Sequence, residues 1–257
     1  MEFDIVKLLI LCCFIFFAAF VDSIAGGGGV ISAPAYLALG FPSHITLGTA
    51  KFSGVLSGAV PILRYGKSKK IQWKSAWIAV ITCIAGSYLG SLLALQLSER
   101  TLQMVMLGVL PFVAAFLILR KNNKDRVVEE AVIITPKMMI QSGVIGFVIG
   151  IYEGLLGPGT GTFLIIAFTS ILNFDMLTAS GTAKVVNYAG TVTAAVTFLF
   201  SGKVLLIYAL PTALCGMLGS YIGSGLAIKN GDKIIRPLMT LVVVLLFVKI
   251  AFDFFNR

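Results

Sequence analysis

The chain has 257 residues, 58% of them hydrophobic and 12% charged, against about 25% charged in a soluble domain, so a soluble globular protein is excluded. A net charge of +9 could suit nucleic acid, but the Lys and Arg residues sit in short loops between apolar runs, the pattern that retains loops in the cytoplasm. Cys12, Cys13, Cys83 and Cys215 all lie inside apolar runs with no metal-ligand spacing. They read as small apolar filler, and neither a metal nor a cofactor is expected.

The first apolar run covers residues 5–25. A cleaved leader is the alternative reading, but Glu2 and Asp4 make a poor basic start, and a similar stretch recurs near residue 140, so the run is kept as a span. After Asp22-Ser23-Ile24-Ala25 it is broken by Gly26, Gly27, Gly28 and Gly29. A short arm, 30–39, follows; Pro34 suits the first turn of a helix, and Ser43 suits an N-cap after the turn at Gly40-Phe41-Pro42. Further runs cover 44–65, 75–97 and 102–119, the last with a kink expected at Pro111. The loop 64–74 carries Arg64, Lys67, Lys69, Lys70 and Lys74. Residues 120–137 form a polar linker of mixed charge. Beyond it a run at 138–152 meets a second break, Glu153-Gly154-Leu155-Leu156 and then Gly157, Pro158, Gly159, Thr160 and Gly161. An arm at 162–172 leads to runs at 176–200, 204–228 and 234–254.

The two halves are copies. Leu47-Gly48-Thr49-Ala50-Lys51 matches Ser180-Gly181-Thr182-Ala183-Lys184 at an offset of 133, and Gly86-Ser87-Tyr88-Leu89-Gly90 matches Gly219-Ser220-Tyr221-Ile222-Gly223 at the same offset. The chain therefore reads as an all-α polytopic integral membrane protein. About eight main hydrophobic helices and two short re-entrant arms form two homologous repeats, 1–120 and 138–257, joined by the linker 121–137. Parallel repeats would put the basic loop 229–236 outside. Inverted repeats put the loops 64–74, 120–137 and 229–236 all in the cytoplasm and both termini outside, which the positive-inside bias favours.

Each break frees backbone groups in mid-membrane that need partners, and a Gly/Pro-broken segment in both halves points to a transporter's binding site. The arms direct their helix N-termini, the positive ends of their dipoles, at the breaks, where a small anion satisfies them. Ser23, Ser32, Thr160 and Thr162 can add hydroxyls. The bland alternative is a plain turn or close packing. Lys51 and Lys184, each about 12 Å into its helix at 1.5 Å per residue, either touch the anion or only snorkel and neutralise an acid. Asp22 and Glu153 are either proton sites raised by burial or partners of those lysines. Asn187 stands one turn beyond Lys184, but its repeat counterpart is Gly54. The single histidine, His44, reads as a surface group beside Ser43 before it reads as a relay. Gly86/Gly90 and Gly219/Gly223 read as close-packing pairs.

On the break from Asp22 to Gly29, the Gly48-Thr49-Ala50-Lys51 stretch and their second copies, nearly the whole chain resembles the TauE/SafE sulfite-exporter family. Ala50 and Ala183 depart from the Asn that members commonly carry there. The resemblance implies a cell-membrane transporter of sulfite, sulfonate or related small organic anions. The reading is alternating-access transport, with Gly26–Gly29, Lys51, Gly157, Gly159, Thr160, Gly161 and Lys184 binding substrate and Asp22 and Glu153 carrying a proton or a counter-charge. The expected partners are the anion and the lipid bilayer, not nucleic acid, with a homo-oligomer left open. A membrane-embedded enzyme or a scaffold subunit are the rivals; neither a nucleophile–base set nor a large polar loop is present to favour them.

Overall fold

The computed structural model describes residues 3–105, 135–231, 233–235 and 237–238. Eight helices order the described chain: α1 (Ile5–Ala25), α2 (Gly29–Ala38), α3 (Ser43–Lys67), α4 (Trp73–Gln96), α5 (Pro136–Leu155), α6 (Thr160–Ser170), α7 (Met176–Phe200) and α8 (Leu206–Asn230). Six of them are long and apolar enough to cross a bilayer, and α2 and α6, at 10 and 11 residues, are not. The expected runs at 102–119 and 234–254, Pro111 and nearly all of the linker lie almost wholly outside the described residues.

Helix starts follow local chemistry. Asp4, Thr135 and Asp175 accept backbone N–H groups at the heads of α1, α5 and α7, satisfying donors that a helix cannot satisfy itself. Two expectations fail here. Ser43 is not the N-cap of α3: Pro42 holds that position without a side-chain bond, and the carboxylate of Glu99, far along the chain, takes the N–H groups of Ser43 and His44. Pro34 lies inside α2 rather than in its first turn, because the helix already begins at Gly29, straight out of the break.

The polarity of the molecule is inside out. Exposed side chains on α1, α4 and α8 are large and apolar, among them Phe17, Trp77, Ile81 and Leu214, whereas Lys51, Glu153, Lys184 and many Ser and Thr hydroxyls are buried. That is the arrangement of a chain whose outer solvent is lipid. Trp73 and Trp77 stand at the head of α4 beside the basic loop, where indoles anchor an interface.

Close packing runs between the halves. A Cβ on Gly219 or Gly223 of α8 would collide with the backbone oxygens of Phe16 and Phe20 on α1. One on Gly86 or Gly90 of α4 would collide with those of Phe147 and Ile151 on α5. The close-packing reading of these glycines therefore holds. Both contact series advance in the same sense along both helices, so α1 runs parallel to α8, and α4 to α5. Thr49 accepts the N–H of Leu205 at 3.1 Å, and its counterpart Thr182 accepts that of Gln72 at 3.0 Å. By the same register α3 is parallel to α8 and α7 to α4. Gly54 meets Thr191 and Gly58 meets Tyr188, which makes α3 and α7 antiparallel.

Candidate functional site

The two breaks cross at the centre. Gly26 closes α1 with φ 81°, and Gly157 and Gly159 lead into α6 with φ 93° and 83°, conformations that favour a residue without a Cβ. The tips touch: a Cβ on Gly161 would lie 2.6 Å from the Gly26 Cα, and one on Gly29 would lie 2.8 Å from the Pro158 Cα. They also satisfy one another. The N–H of Thr162 donates to the Gly26 oxygen at 3.2 Å, and the Thr162 hydroxyl to the Ala25 oxygen at 2.8 Å. Thr160 turns its hydroxyl back to the Gly157 oxygen at 2.7 Å.

Each lysine reaches across to the broken helix of the other half. Lys51 Nζ lies 2.6 Å from Glu153 Oε1 and also donates to the main-chain oxygen of Glu153. Lys184 Nζ lies 3.1 Å from Asp22 Oδ2 and donates to the main-chain oxygen of Asp22. Each ammonium thus neutralises a carboxylate and also binds a main-chain oxygen in the last turn of a broken helix, the Asp22 oxygen sharing it with the N–H of Gly26. The salt-bridge reading of the acids and the neutralising reading of the lysines both describe this conformation. Burying charges singly would cost several kcal/mol each; pairing them offsets that.

The two pairs are not alike. Lys51 and Glu153 are 7% and 4% exposed, and Thr191 donates to Glu153 Oε1 at 2.9 Å. Lys184 is 3% exposed but Asp22 is 30% exposed, and the N–H of Gly28 donates to Asp22 Oδ1 at 3.2 Å. One pair is sealed and the other stands open.

A cavity of about 120 Å³ adjoins both. Of the expected site residues, Asp22, Gly26, Gly28, Gly29, Lys51, Glu153, Gly157, Gly161 and Lys184 line it, with Ser32 and Asn187. Gly27, Gly159 and Thr160 are buried in the tips but do not line it, and Ser23 turns its hydroxyl to the Phe20 oxygen at 2.8 Å. Ser53, Ser57, Tyr188, Thr191 and Ser220 also form the wall. Helical spacing of four and seven from Lys184 could have picked out Tyr188 and Thr191; no local signal marks Ser220.

His44 lies away from this cavity. Its Nδ1 is 2.8 Å from Glu99 Oε2 and its Nε2 is 3.1 Å from the Ala94 oxygen. Partial burial raises the Glu99 carboxyl, but hydrogen bonds from the N–H groups of Ser43 and His44 and from the His44 ring outweigh it and hold the group at about 2.

Six long apolar helices around a buried, charge-paired crossing define a multi-pass integral membrane protein with a polar interior built on broken helices. Residues 11–250 match the family model described as sulfite exporter TauE/SafE, and the chain belongs to that family of membrane transporters. It is 34% identical to "Probable membrane transporter protein ORF9" of Sinorhizobium sp over 253 residues, covering 98% of this chain and 95% of the relative. It is 28% identical to a "Probable membrane transporter protein" of Haemophilus influenzae, covering 98% of each. Identity to "Probable membrane transporter protein YfcA" of Escherichia coli K12 is 25%, over 92% of this chain and 86% of the relative. No solved structure matches the chain.

Proposed function

We propose that the protein is a secondary transporter moving a small oxyanion of the sulfite or sulfonate class across the cell membrane by alternating access, coupled to a proton at Asp22. The observation that carries this reading is the reciprocal pairing of Lys51 with Glu153 and Lys184 with Asp22 where two broken hairpins cross beside a cavity. Sulfite itself enters from the family's description.

The chemistry follows from the open pair. Asp22 occupies two anion donors at once, Lys184 Nζ and the N–H of Gly28. A proton on Asp22 discharges it and releases both, and an oxyanion inherits them. Proton and anion therefore enter together and the pocket stays near neutral. Uptake of a lone anion against a negative interior costs about 2.3 kcal/mol per 100 mV, and the accompanying proton cancels it. The sealed Lys51–Glu153 pair takes the same role from the other hairpin in the opposite state. In this reading Gly26–Gly29, Gly157, Gly159, Thr160 and Gly161 bring backbone donors to the substrate as the tips slide.

The membrane arrangement we favour is one domain of two inverted repeats, 1–120 and 138–257, with eight main spans and the linker 121–137. Support comes from helix direction: α1 and α3 run with α8, whereas their second-half counterparts α5 and α7 run with α4. Arg64, Lys67, Lys69, Lys70 and Lys74, with Lys137 and Lys229, then gather at one end, which the positive-inside bias assigns to the cytoplasm.

Counterflow of labelled sulfite and a panel of sulfonates in proteoliposomes tests the reading. Flux is expected, a pH gradient should drive it, and Asp22→Asn should uncouple flux from that gradient. Absence of flux across sulfite, sulfonates and carboxylates would refute transport of this class. In purified protein a bound anion should raise thermal stability, and Lys184→Ala should abolish the increase.

A further inference from the structure

One buried polar atom at the site has no hydrogen-bond partner among the described residues. Asn187 lines the cavity, and its Oδ1 is enclosed with no hydrogen-bond partner. It lies on α7 between the two charge pairs: three residues beyond Lys184, which holds Asp22, and four before Thr191, which donates to Glu153. Spacing of three and four places all three on one helix face. A carboxamide oxygen without a partner inside a membrane protein is a standing penalty.

Across from Asn187 the α3 wall carries no side chain and packs closely on α7. The counterpart of Asn187 on α3 is Gly54, and Gly58 stands one turn further. A Cβ at Gly54 would come within 3.2 Å of Thr191 Cγ2, and one at Gly58 within 3.1 Å of Tyr188 Cδ2. The first repeat has therefore given up side chains where the second presents them. At the paired positions 54/187 and 58/191 only α7 presents a polar side chain.

We propose that Asn187 is the specificity-determining residue, and that the substrate carries an O–H or N–H donor beside its anionic group. The assignment rests on the transport reading above and names the substrate class within it. The anionic group takes the donors of Lys184 and Gly28, and the donor meets Asn187 Oδ1. A substrate without that donor leaves the acceptor unmet. Sites built to hydrogen-bond a substrate group reject analogues lacking it far more strongly than sites that read size alone.

The probes are 2-hydroxyethanesulfonate and propane-1-sulfonate, close in size and differing in one hydroxyl. Wild-type proteoliposomes should prefer the hydroxy compound by about ten-fold or more. Asn187→Leu, of similar volume, should bring the two within about two-fold, and Asn187→Gln should keep part of the preference. Because the readout is a ratio, partial misfolding cancels. Thermal stabilisation of purified protein by each sulfonate gives the same ratio without transport. Equal handling of both probes by wild type, or an unchanged ratio in Asn187→Leu, overturns the assignment while leaving sulfonate transport intact. If wild type neither moves nor binds either probe, the assignment falls, and the flux of labelled sulfite decides the transport reading separately.

Discussion

Lys51 and Lys184 occupy equivalent positions in the two repeats but face unequal consequences if removed. Truncating Lys51 strands Glu153 among buried neighbours, with Thr191 the one remaining donor among the described residues; breaking a buried pair in this way costs about 3–5 kcal/mol. Truncating Lys184 leaves Asp22 partly open to the cavity and still bonded to the N–H of Gly28, so hydration covers part of the loss. Thermal unfolding in detergent should therefore rank Lys51→Ala well below Lys184→Ala, and equal destabilisation would mean that the asymmetry has no energetic weight. Glu99 offers a second test. Its folded carboxyl sits at about 2 against an ordinary 4.5, so its contribution is complete above about pH 4.5 and is lost as pH falls toward 2. Glu99→Gln should unfold at lower temperature than wild type at neutral pH, and the gap should close on acidification through that window. These residues mark what was legible. The breaks, the lysines and the acids stand out in the letters, because a charge or a glycine run inside an apolar stretch is locally anomalous. Which acid meets which lysine is not local: Lys51 and Glu153 come together only through the crossing of hairpins from different repeats. Glu99 as the cap of α3 was hidden for the same reason.

At the scale of helices, composition defines the runs and contact defines their ends. The expected span 176–200 coincides with α7, whereas 138–152 falls short of α5 at both ends and the short arm begins later than α2, because the tips continue helical geometry into the glycine clusters. Turn geometry is shared between copies with different residues: Gly40 and Asn173, and Lys69 and Gly202, all have positive φ. Helix contact is shared with the same residue, since Gly86 and Gly219 both sit where the neighbouring backbone excludes a Cβ. Gly219→Ala must push α1 off α8 and should cost about 1–3 kcal/mol as overpacking. Gly66→Ala, where the nearest atom to an added Cβ is Ile71 Cδ1 at 3.7 Å, should be neutral or stabilising by helix propensity. Thermal midpoints of the two variants should move in opposite directions from wild type, and a shared sign would remove the packing argument.

Over the whole molecule, the proposed transport cycle follows most directly if the copies face opposite ways. Reciprocal contacts make each repeat complete the other: Thr49 caps α8 and Thr182 caps α4, and each lysine closes the opposite broken helix. Two such halves in antiparallel orientation have two equivalent states, one opening to each side of the membrane. The difference between the open Asp22–Lys184 pair and the sealed Glu153–Lys51 pair is then what a single state of that cycle looks like. Two halves in parallel orientation would lack that exchange of equivalent states between the two sides. Ser68 and Ser201 decide between these, since they are repeat counterparts that end α3 and α7. In a background with Cys12, Cys13, Cys83 and Cys215 replaced, Ser68→Cys should react with an impermeant maleimide only from the cytoplasmic side, where the basic loops lie. Ser201→Cys should react only from outside. Labelling of both from one face would make the repeats parallel and end the inverted-repeat arrangement, whatever the cavity binds.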